Sequence, residues 1–148
     1  MRSLKFAVLS FFAFTLIFVF ENCKKEDNES AKDVTINILK SKTQWVVSSV
    51  NVPLNSATED SDWDNFKVSF TDSNMTTADY PAGAGLVWPS GTYSVSEDGR
   101  SITRQDGVVM SLNPITESVF SAIFTVPEGV DIGGRLAALD GEYTFNMK

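Results

Sequence analysis

Histidine is absent from this chain of 148 residues, and cysteine occurs once, as Cys23. Catalysis by serine–histidine or cysteine–histidine pairs is therefore excluded for the folded part that follows Cys23, and so are zinc sites built from imidazole or thiolate. A pair of carboxylates could still hydrolyse a sugar. However, the Asp and Glu residues are concentrated in polar segments, loops and turns, and not in the middle of apolar strand faces. We therefore expect no enzymatic activity and no cofactor.

Positive charge is also scarce. The chain has 12 Lys and Arg residues against 19 Asp and Glu residues, which gives a net charge of −7 and a sequence pI near 4.5. Nucleic-acid binding needs a stripe of Lys and Arg, and this sequence has none, so a nucleic-acid partner is excluded. With 43% apolar residues, the chain has enough apolar side chains to form one domain with one hydrophobic core.

The first twenty residues contain the one long apolar run. Arg2 and Lys5 precede fifteen mostly apolar residues, Phe6 to Phe20. As a helix this run would extend about 22 Å at ~1.5 Å per residue, whereas a bilayer core is roughly 30 Å thick. A short apolar run after positive charges is typical of an export signal.

Cys23 follows that run after Glu21 and Asn22, and it precedes the polar segment "KKEDNES". This arrangement resembles a lipoprotein signal of Gram-negative bacteria, which implies a signal peptide over residues 1–22 and an acylated cysteine at position 23 that anchors the protein to the outer membrane. Residues 23–32 are then a flexible tether, because they lack an apolar period. The cysteine, lysines and acidic residues also resemble a surface-export signal; an ordinary solvated linker is the alternative.

From Gln44 onward, apolar residues alternate with polar ones, which predicts half-buried β-strands. In "FKVSF", for example, Phe66, Val68 and Phe70 share one face. The pattern predicts about eight antiparallel strands in neighbour order, at residues 45–52, 66–72, 74–80, 91–96, 101–105, 108–114, 118–126 and 141–147. The simplest closure of such a meander is an all-β, up-and-down barrel; a β-sandwich is the alternative.

Two short features complete the fold prediction. The Asp98-Gly99, Asp106-Gly107 and Asp140-Gly141 pairs favour tight hairpins, because glycine accepts a positive φ without steric cost. The segment "DVTINILKSK", from Asp33 to Lys42, is ambiguous, since Val34, Ile36 and Ile38 fit a short strand while a helix is also possible.

The folded part, residues 33–148, resembles the small lipocalin-like domains of bacterial lipoproteins. The resemblance is carried by "QWVVSSVNV", "VWPSGTYSVSEDGRSITRQDGVVMSL", "FSAIFTV" and "GGRLAALDGEYTFNM". It implies a barrel with one open end, in which Trp45 is a structural plug at the floor. Thr43 stands where such domains have a glycine two residues before this tryptophan.

One acidic loop suggests a calcium site. Asp60, Asp62 and Asp64 have the alternate spacing of the first ligands in a calcium-binding loop. Asn65 and Thr71 stand where that loop needs glycine and glutamate. The alternative is a solvated acidic loop that caps one helical turn.

The aromatic-rich connection "DYPAGAGLVWPSG" is the candidate ligand site. Tyr80 and Trp88 could stack on a small apolar or sugar ligand at the barrel mouth, or contact a cell-envelope partner protein. In the alternative, Trp88 covers the barrel end and the protein is a structural or accessory lipoprotein without a ligand. We expect a mostly filled interior with at most a shallow pocket, because the inward residues are bulky: Phe66, Phe70, Tyr93, Met110, Phe120, Phe124, Tyr143 and Phe145.

Three arginines are predicted to be solvated. Arg100, Arg104 and Arg135 are scattered along the sequence, so they do not form an anion site.

Overall fold

A computed structural model describes residues 29–128 and 139–148. One helix, α1 (Ala31–Lys40), precedes the strands, and a 3₁₀ helix (Asp60–Trp63) lies between the first two of them. The eight strands are β1 (Trp45–Asn51), β2 (Lys67–Phe70), β3 (Asn74–Ala78), β4 (Gly91–Val95), β5 (Ser101–Arg104), β6 (Val109–Ile115), β7 (Phe120–Val126) and β8 (Gly141–Met147). The predicted signal peptide, Cys23 and Arg135 lie outside the described residues.

The strands form a closed antiparallel barrel in chain order, and β8 pairs back with β1. The closing register places Val47 opposite Met147 and Asn51 opposite Thr144. Closure pairs the two strands that would otherwise have free edges. The predicted all-β, eight-stranded up-and-down barrel is therefore confirmed, and the sandwich alternative is not adopted.

The interior follows the alternation of the sequence. In β8, Tyr143, Phe145 and Met147 are buried while the residues between them are partly accessible. All eight side chains predicted to point inward are buried: Phe66, Phe70, Tyr93, Met110, Phe120, Phe124, Tyr143 and Phe145. Their apolar faces meet in one continuous core, which supplies the main free energy that holds the barrel closed.

The two ends of the barrel differ. At one end, called the floor, the chain enters β1 and the short turns join β2 to β3, β4 to β5 and β6 to β7. At the other end, called the mouth, the connections β1–β2, β3–β4, β5–β6 and β7–β8 are found. Three of the mouth connections are long: β1–β2 carries the 3₁₀ helix, β3–β4 carries the aromatic-rich segment, and β7–β8 covers residues 127–140.

The ambiguous segment before Trp45 is a helix that packs at the floor. Ser30 caps α1 by accepting a 3.1 Å hydrogen bond from the backbone N–H of Asp33. Thr35 and Leu39 are buried, and their spacing of four residues places them on one helical face. The helix begins at Ala31, two residues before the start expected for the folded domain.

Within residues 29–128 and 139–148, no helix has both the length and the apolar character that crossing a membrane requires.

Two of the three predicted Asp-Gly turns occur. The prediction of a tight hairpin at Asp140-Gly141 is wrong, because Gly141 is the first residue of β8 and the connection from β7 covers residues 127–140. Gly99 (φ +69°) turns the chain between β4 and β5, and Gly107 (φ +83°) turns it between β5 and β6. Their surroundings differ. A Cβ on Gly99 would lie 2.5 Å from the carbonyl oxygen of Ala31, whereas a Cβ on Gly107 would meet nothing within 4 Å. Gly99 thus also allows α1 to approach the barrel.

Candidate functional site at the barrel mouth

A surface pocket of about 360 Å³ lies beside the β3–β4 connection at the mouth. This volume is within the range of about 300–1,000 Å³ that small-molecule sites occupy. Its lining consists of Thr77, Tyr80, Gly83, Gly85, Leu86, Pro89 and Ser90. Tyr80 and Leu86 each remain 46% exposed, so the pocket opens to solvent at the side where these two side chains stand.

The pocket loop, residues 79–90, is shaped by successive turns and held by buried side chains. Asp79 and Gly83 have positive φ values of 57° and 82°. The N–H of Ala84 donates to the carbonyl of Pro81 at 2.9 Å, and the N–H of Val87 donates to the carbonyl of Ala84 at 3.0 Å. Since Ala84 and Val87 are buried, these turns anchor the loop and leave Leu86 between them at the surface.

Gly85 provides the contact surface for the Tyr80 ring. A Cβ placed on Gly85 would lie 2.9 Å from Cε2 of Tyr80, which is closer than real Cβ contacts come. The ring therefore rests against the glycine backbone. A larger residue at position 85 would displace the ring and change the shape of the pocket.

Two hydroxyl groups form the polar part of the pocket. The Oγ of Ser90 accepts a 2.8 Å hydrogen bond from the N–H of Thr77 and lies 3.1 Å from the Thr77 Oγ1. Two hydroxyls together offer two donor hydrogens and four acceptor lone pairs. After these two bonds, the pair retains one donor and two acceptor positions for a ligand.

Arg104 holds the pocket loop from inside the barrel. Its side chain is buried, at 3% exposure, and its Nη1 donates a 2.6 Å hydrogen bond to the carbonyl of Val87. The guanidinium also pairs with both carboxylate oxygens of Asp106, with Nε 3.1 Å from Oδ1, and lies 5.4 Å from the centre of the Phe124 ring. The prediction that Arg104 is solvated is therefore wrong: Asp106 and a loop carbonyl satisfy its charge and its donors.

The ion pair affects the acidity of Asp106. The hydrogen bond from Arg104 lowers the pKa of the Asp106 carboxyl, although partial burial acts in the opposite direction. A favourable bond to the ionised form lowers a carboxyl pKa in this way. Asp106 consequently stays charged at neutral pH beside a buried cation.

The structure separates the two aromatic residues of the predicted ligand site. Tyr80 lines the pocket, whereas Trp88 is only 1% exposed and lies in the core. The Trp88 ring packs edge-on against Phe124 and Phe145, with centroids 5.5 and 5.2 Å apart, and its Nε1 lies 3.3 Å from the sulfur of Met75. Trp88 therefore has almost no accessible surface to offer a ligand.

A second tryptophan fills the mouth beside Trp88. Trp63, at the end of the 3₁₀ helix, is fully buried and packs against Phe66 and Phe145 with centroids 5.5 and 5.0 Å apart. Its Nε1 donates a 3.2 Å hydrogen bond to Thr58. Together with the Trp88 ring, this indole occupies the space where an open barrel would admit a ligand.

The acidic residues of the predicted calcium loop have other contacts. Asp60 accepts a 2.9 Å hydrogen bond from the N–H of Val52, and Asp62 accepts one of 2.8 Å from the N–H of Glu59. Asp64 follows the 3₁₀ helix as its C-terminal cap residue. Within residues 29–128 and 139–148, no three acidic side chains are placed to hold a metal ion. Asp60 and Asp62 thus stabilise the turn that places Trp63.

Of the two remaining predicted site residues, Trp45 lies at the floor. Trp45 is fully buried at the start of β1, with its ring 4.9 Å from that of Phe120, which is the position expected of a floor plug. Cys23, the predicted lipidation site, lies outside the described residues.

Sequence reasoning missed the hydroxyl pair and the buried arginine. Thr77 and Ser90 belong to different elements, so their meeting depends on the path of the pocket loop. Arg104 carried a usable signal, because it lies two residues after the apolar Ile102 in a strand and therefore shares its inward face.

No protein-family model matches the sequence, and no curated protein matches it. The fold is thus characterised by its own geometry. The closed eight-stranded antiparallel barrel, with one short helix at its floor, is compatible with a lipocalin-like fold.

Proposed function

We propose that this protein is a binding module that takes up a small apolar or sugar ligand, or a partner protein, in the pocket beside Tyr80 and not in the barrel interior. The observation that carries the proposal is the contrast between this open pocket and the aromatic filling of the mouth. An eight-stranded barrel is just wide enough for side chains or for one small ligand. Here Trp63 and Trp88 take the interior position.

The proposal includes export and lipid anchoring. Arg2, Lys5 and the apolar run support an export signal, and Cys23 after that run supports acylation and attachment to the outer membrane of a Gram-negative bacterium. Exposure at the cell surface is part of the proposal because lysines and acidic residues follow the cysteine. If Cys23 is the anchor, Cys23→Ser moves the protein to the soluble fraction or leaves an unprocessed precursor. Unchanged membrane attachment would exclude acylation as the anchor.

Anchoring through Cys23 would attach the barrel to the membrane at the end opposite the pocket. The tether leads into α1, which packs at the floor, whereas the pocket lies at the mouth. The tether would therefore leave the pocket loop free to meet a ligand or a partner.

A role without catalysis is also part of the proposal. The chain has no histidine, and its one cysteine would be the acylated residue. Near the pocket, Asp79 has an exposed side chain that pairs with Lys67 at 2.8 Å. Sugar hydrolysis instead needs an acid in a buried, apolar setting.

The test is to map where small neutral molecules contact the full chain in lipid nanodiscs. A set of aromatic, aliphatic and sugar fragments is added to ¹⁵N-labelled protein, and amide shifts are followed. The proposal expects shifts in the pocket loop that are lost in Leu86→Ser and kept in the matched control Val119→Ser, an exposed apolar residue at the floor. Shifts confined to β7 and β8 would contradict it, and no shifts at all would exclude a small ligand in the pocket.

A second candidate is a structural or accessory lipoprotein of the cell envelope that binds no small ligand. The aromatic filling of the barrel favours it, since the ring of Phe145 has its centroid 5.0 Å from that of Trp63 and 5.2 Å from that of Trp88. The fragment experiment separates the two candidates, because this one expects no loop-specific shifts.

A further inference from the structure

The pocket beside Tyr80 has a lining that selects for one chemical class. All seven residues that line it are uncharged. An anionic ligand would find no cation there and would also approach a protein with a net charge of −7. A cationic ligand would find no carboxylate in the lining. The pocket chemistry therefore favours a neutral ligand.

The lining is also divided into an apolar side and a polar side. Tyr80, Leu86 and Pro89 offer aromatic and aliphatic surface, and the Thr77–Ser90 hydroxyl pair offers both a donor and acceptors. A purely apolar molecule would leave the remaining donor and acceptor positions of the hydroxyl pair unfilled, which costs binding free energy. A molecule with an apolar face and hydroxyl groups at its edge satisfies both sides.

The exposure of the pocket limits how deeply a ligand can be buried. Tyr80 and Leu86 are each 46% exposed, so a ligand is covered on one face and stays in water on the other. A sugar ring suits this geometry, because its C–H face can lie on an aromatic ring while its hydroxyls remain hydrated. A proline-rich peptide suits it less well, since such peptides dock in grooves lined by several aromatic side chains and this lining has only Tyr80.

We infer, on the basis of the proposed function, that the pocket binds a neutral sugar ring, with Tyr80 as the stacking platform and Thr77 and Ser90 as the hydrogen-bonding groups. Gly85 sets the position of the platform, because the Tyr80 ring rests on its backbone. Arg104 is a positioning residue, since it holds the loop through the carbonyl of Val87.

The experiment titrates the full chain in nanodiscs with four neutral trisaccharides: maltotriose, cellotriose, mannotriose and triacetylchitotriose. Amide shifts of the pocket loop are followed up to about 10 mM sugar, a range that detects dissociation constants of about 1 mM. At least one trisaccharide is expected to bind. Tyr80→Ala should weaken that complex about tenfold or more, and Tyr80→Phe should keep it within about threefold, because the ring supplies the contact.

A second variant guards against a trivial loss of folding. Gly85→Ala leaves Tyr80 in the chain but displaces its ring, so it should weaken sugar binding while the amide spectrum of the barrel strands stays unchanged. Trisaccharide binding that Tyr80→Ala and Gly85→Ala leave intact would overturn the inference.

Two other outcomes separate this inference from the proposed function. If apolar fragments or a proline-rich peptide shift the pocket loop and no trisaccharide does, the sugar inference is overturned while the proposed function stands. If no probe shifts the loop, the sugar inference and the small-ligand form of the proposed function are both overturned.

Discussion

The indole Nε1 of Trp45 donates a 2.7 Å hydrogen bond to the backbone carbonyl of Leu39, the last buried residue of α1. This bond joins the helix to the first strand across the floor. It satisfies an orphan carbonyl at a helix C-terminus, which has no partner within the helix. The helix α1 and the Trp45 ring thus close the floor together, and the hydrogen bond between them holds each in place.

Trp45→Ala should lower the free energy of unfolding by roughly 3 to 5 kcal/mol, because it removes a fully buried indole from the floor. Trp45→Phe, the matched control, keeps a ring against Phe120 and loses the bond to Leu39, so it should cost less. Urea unfolding followed by circular dichroism measures both. A loss below about 0.5 kcal/mol for the alanine variant would contradict the role of Trp45 as a plug.

A comparison of Gly99→Ala with Gly107→Ala should separate two losses of stability: the clash of a new Cβ with α1 and the strain of an alanine at a positive φ. Both glycines have a positive φ, so each alanine should cost about 1 to 2 kcal/mol. Gly99→Ala should cost more, because its Cβ would meet the Ala31 carbonyl and the Thr35 hydroxyl at 2.5 and 2.6 Å. Thermal unfolding of the two variants decides the point. Equal losses would mean that α1 adds nothing at this turn.

The strands and the contents of the core could be predicted because both follow from local alternation. Phe120, Phe124 and Tyr143 occupy alternate positions of β7 and β8, so a period of two identifies their inward face from sequence alone. The Asp-Gly turns are equally local. The helix over Ala31–Lys40 could not be distinguished from a strand, because its burial depends on the floor that it covers.

Trp88→Ala should lower the free energy of unfolding by roughly 3 to 5 kcal/mol, whereas Tyr80→Ala should change it by less than about 1 kcal/mol. The reason is their placement, since the Trp88 ring lies in the core and the Tyr80 side chain is 46% exposed. Chemical unfolding of the two variants tests this. Similar losses would mean that Tyr80 is a structural residue and not a free surface for a ligand.

Tyr80 is exposed and Trp88 is buried. Sequence patterns do not predict this difference. Tyr80 and Trp88 belong to an irregular loop without a period, so nothing local distinguishes the buried ring from the exposed one. The arrangement depends on long-range contacts, namely those of Trp88 with Phe124 and Phe145 and the bond from Arg104 to the Val87 carbonyl. The location of the pocket in this loop was predictable, but its lining was not.

Asp106→Asn should make the free energy of unfolding less dependent on pH in the acidic range. Because the Arg104 bond lowers the folded-state pKa of Asp106, this carboxylate stabilises the native protein above its unfolded pKa of about 4. That contribution is lost as the pH falls through the folded-state value. The wild-type free energy of unfolding should therefore drop more steeply than that of the variant below about pH 4.

A control accounts for the other depressed carboxyl in the described residues. Hydrogen bonds from Ser96 and from the backbone of Arg100 lower the pKa of Asp98. Asp98 therefore also contributes to the fall of the free energy of unfolding in acid, and Asp98→Asn removes that contribution. Urea titrations between neutral pH and about pH 2 measure all three proteins. A slope for Asp106→Asn that equals the wild-type slope would contradict the assignment.

The claim that this barrel is a membrane-anchored module presented outside the cell rests on Cys23 and is tested most directly by an intact mass. The protein is purified from its native membrane and weighed, and whole cells are treated with protease alongside. The account predicts a chain that begins at Cys23 and carries acyl groups, with its barrel removed from the cells by protease. A mass that begins elsewhere or lacks acyl groups would contradict the anchor, and a barrel that protease cannot reach would contradict its exposure.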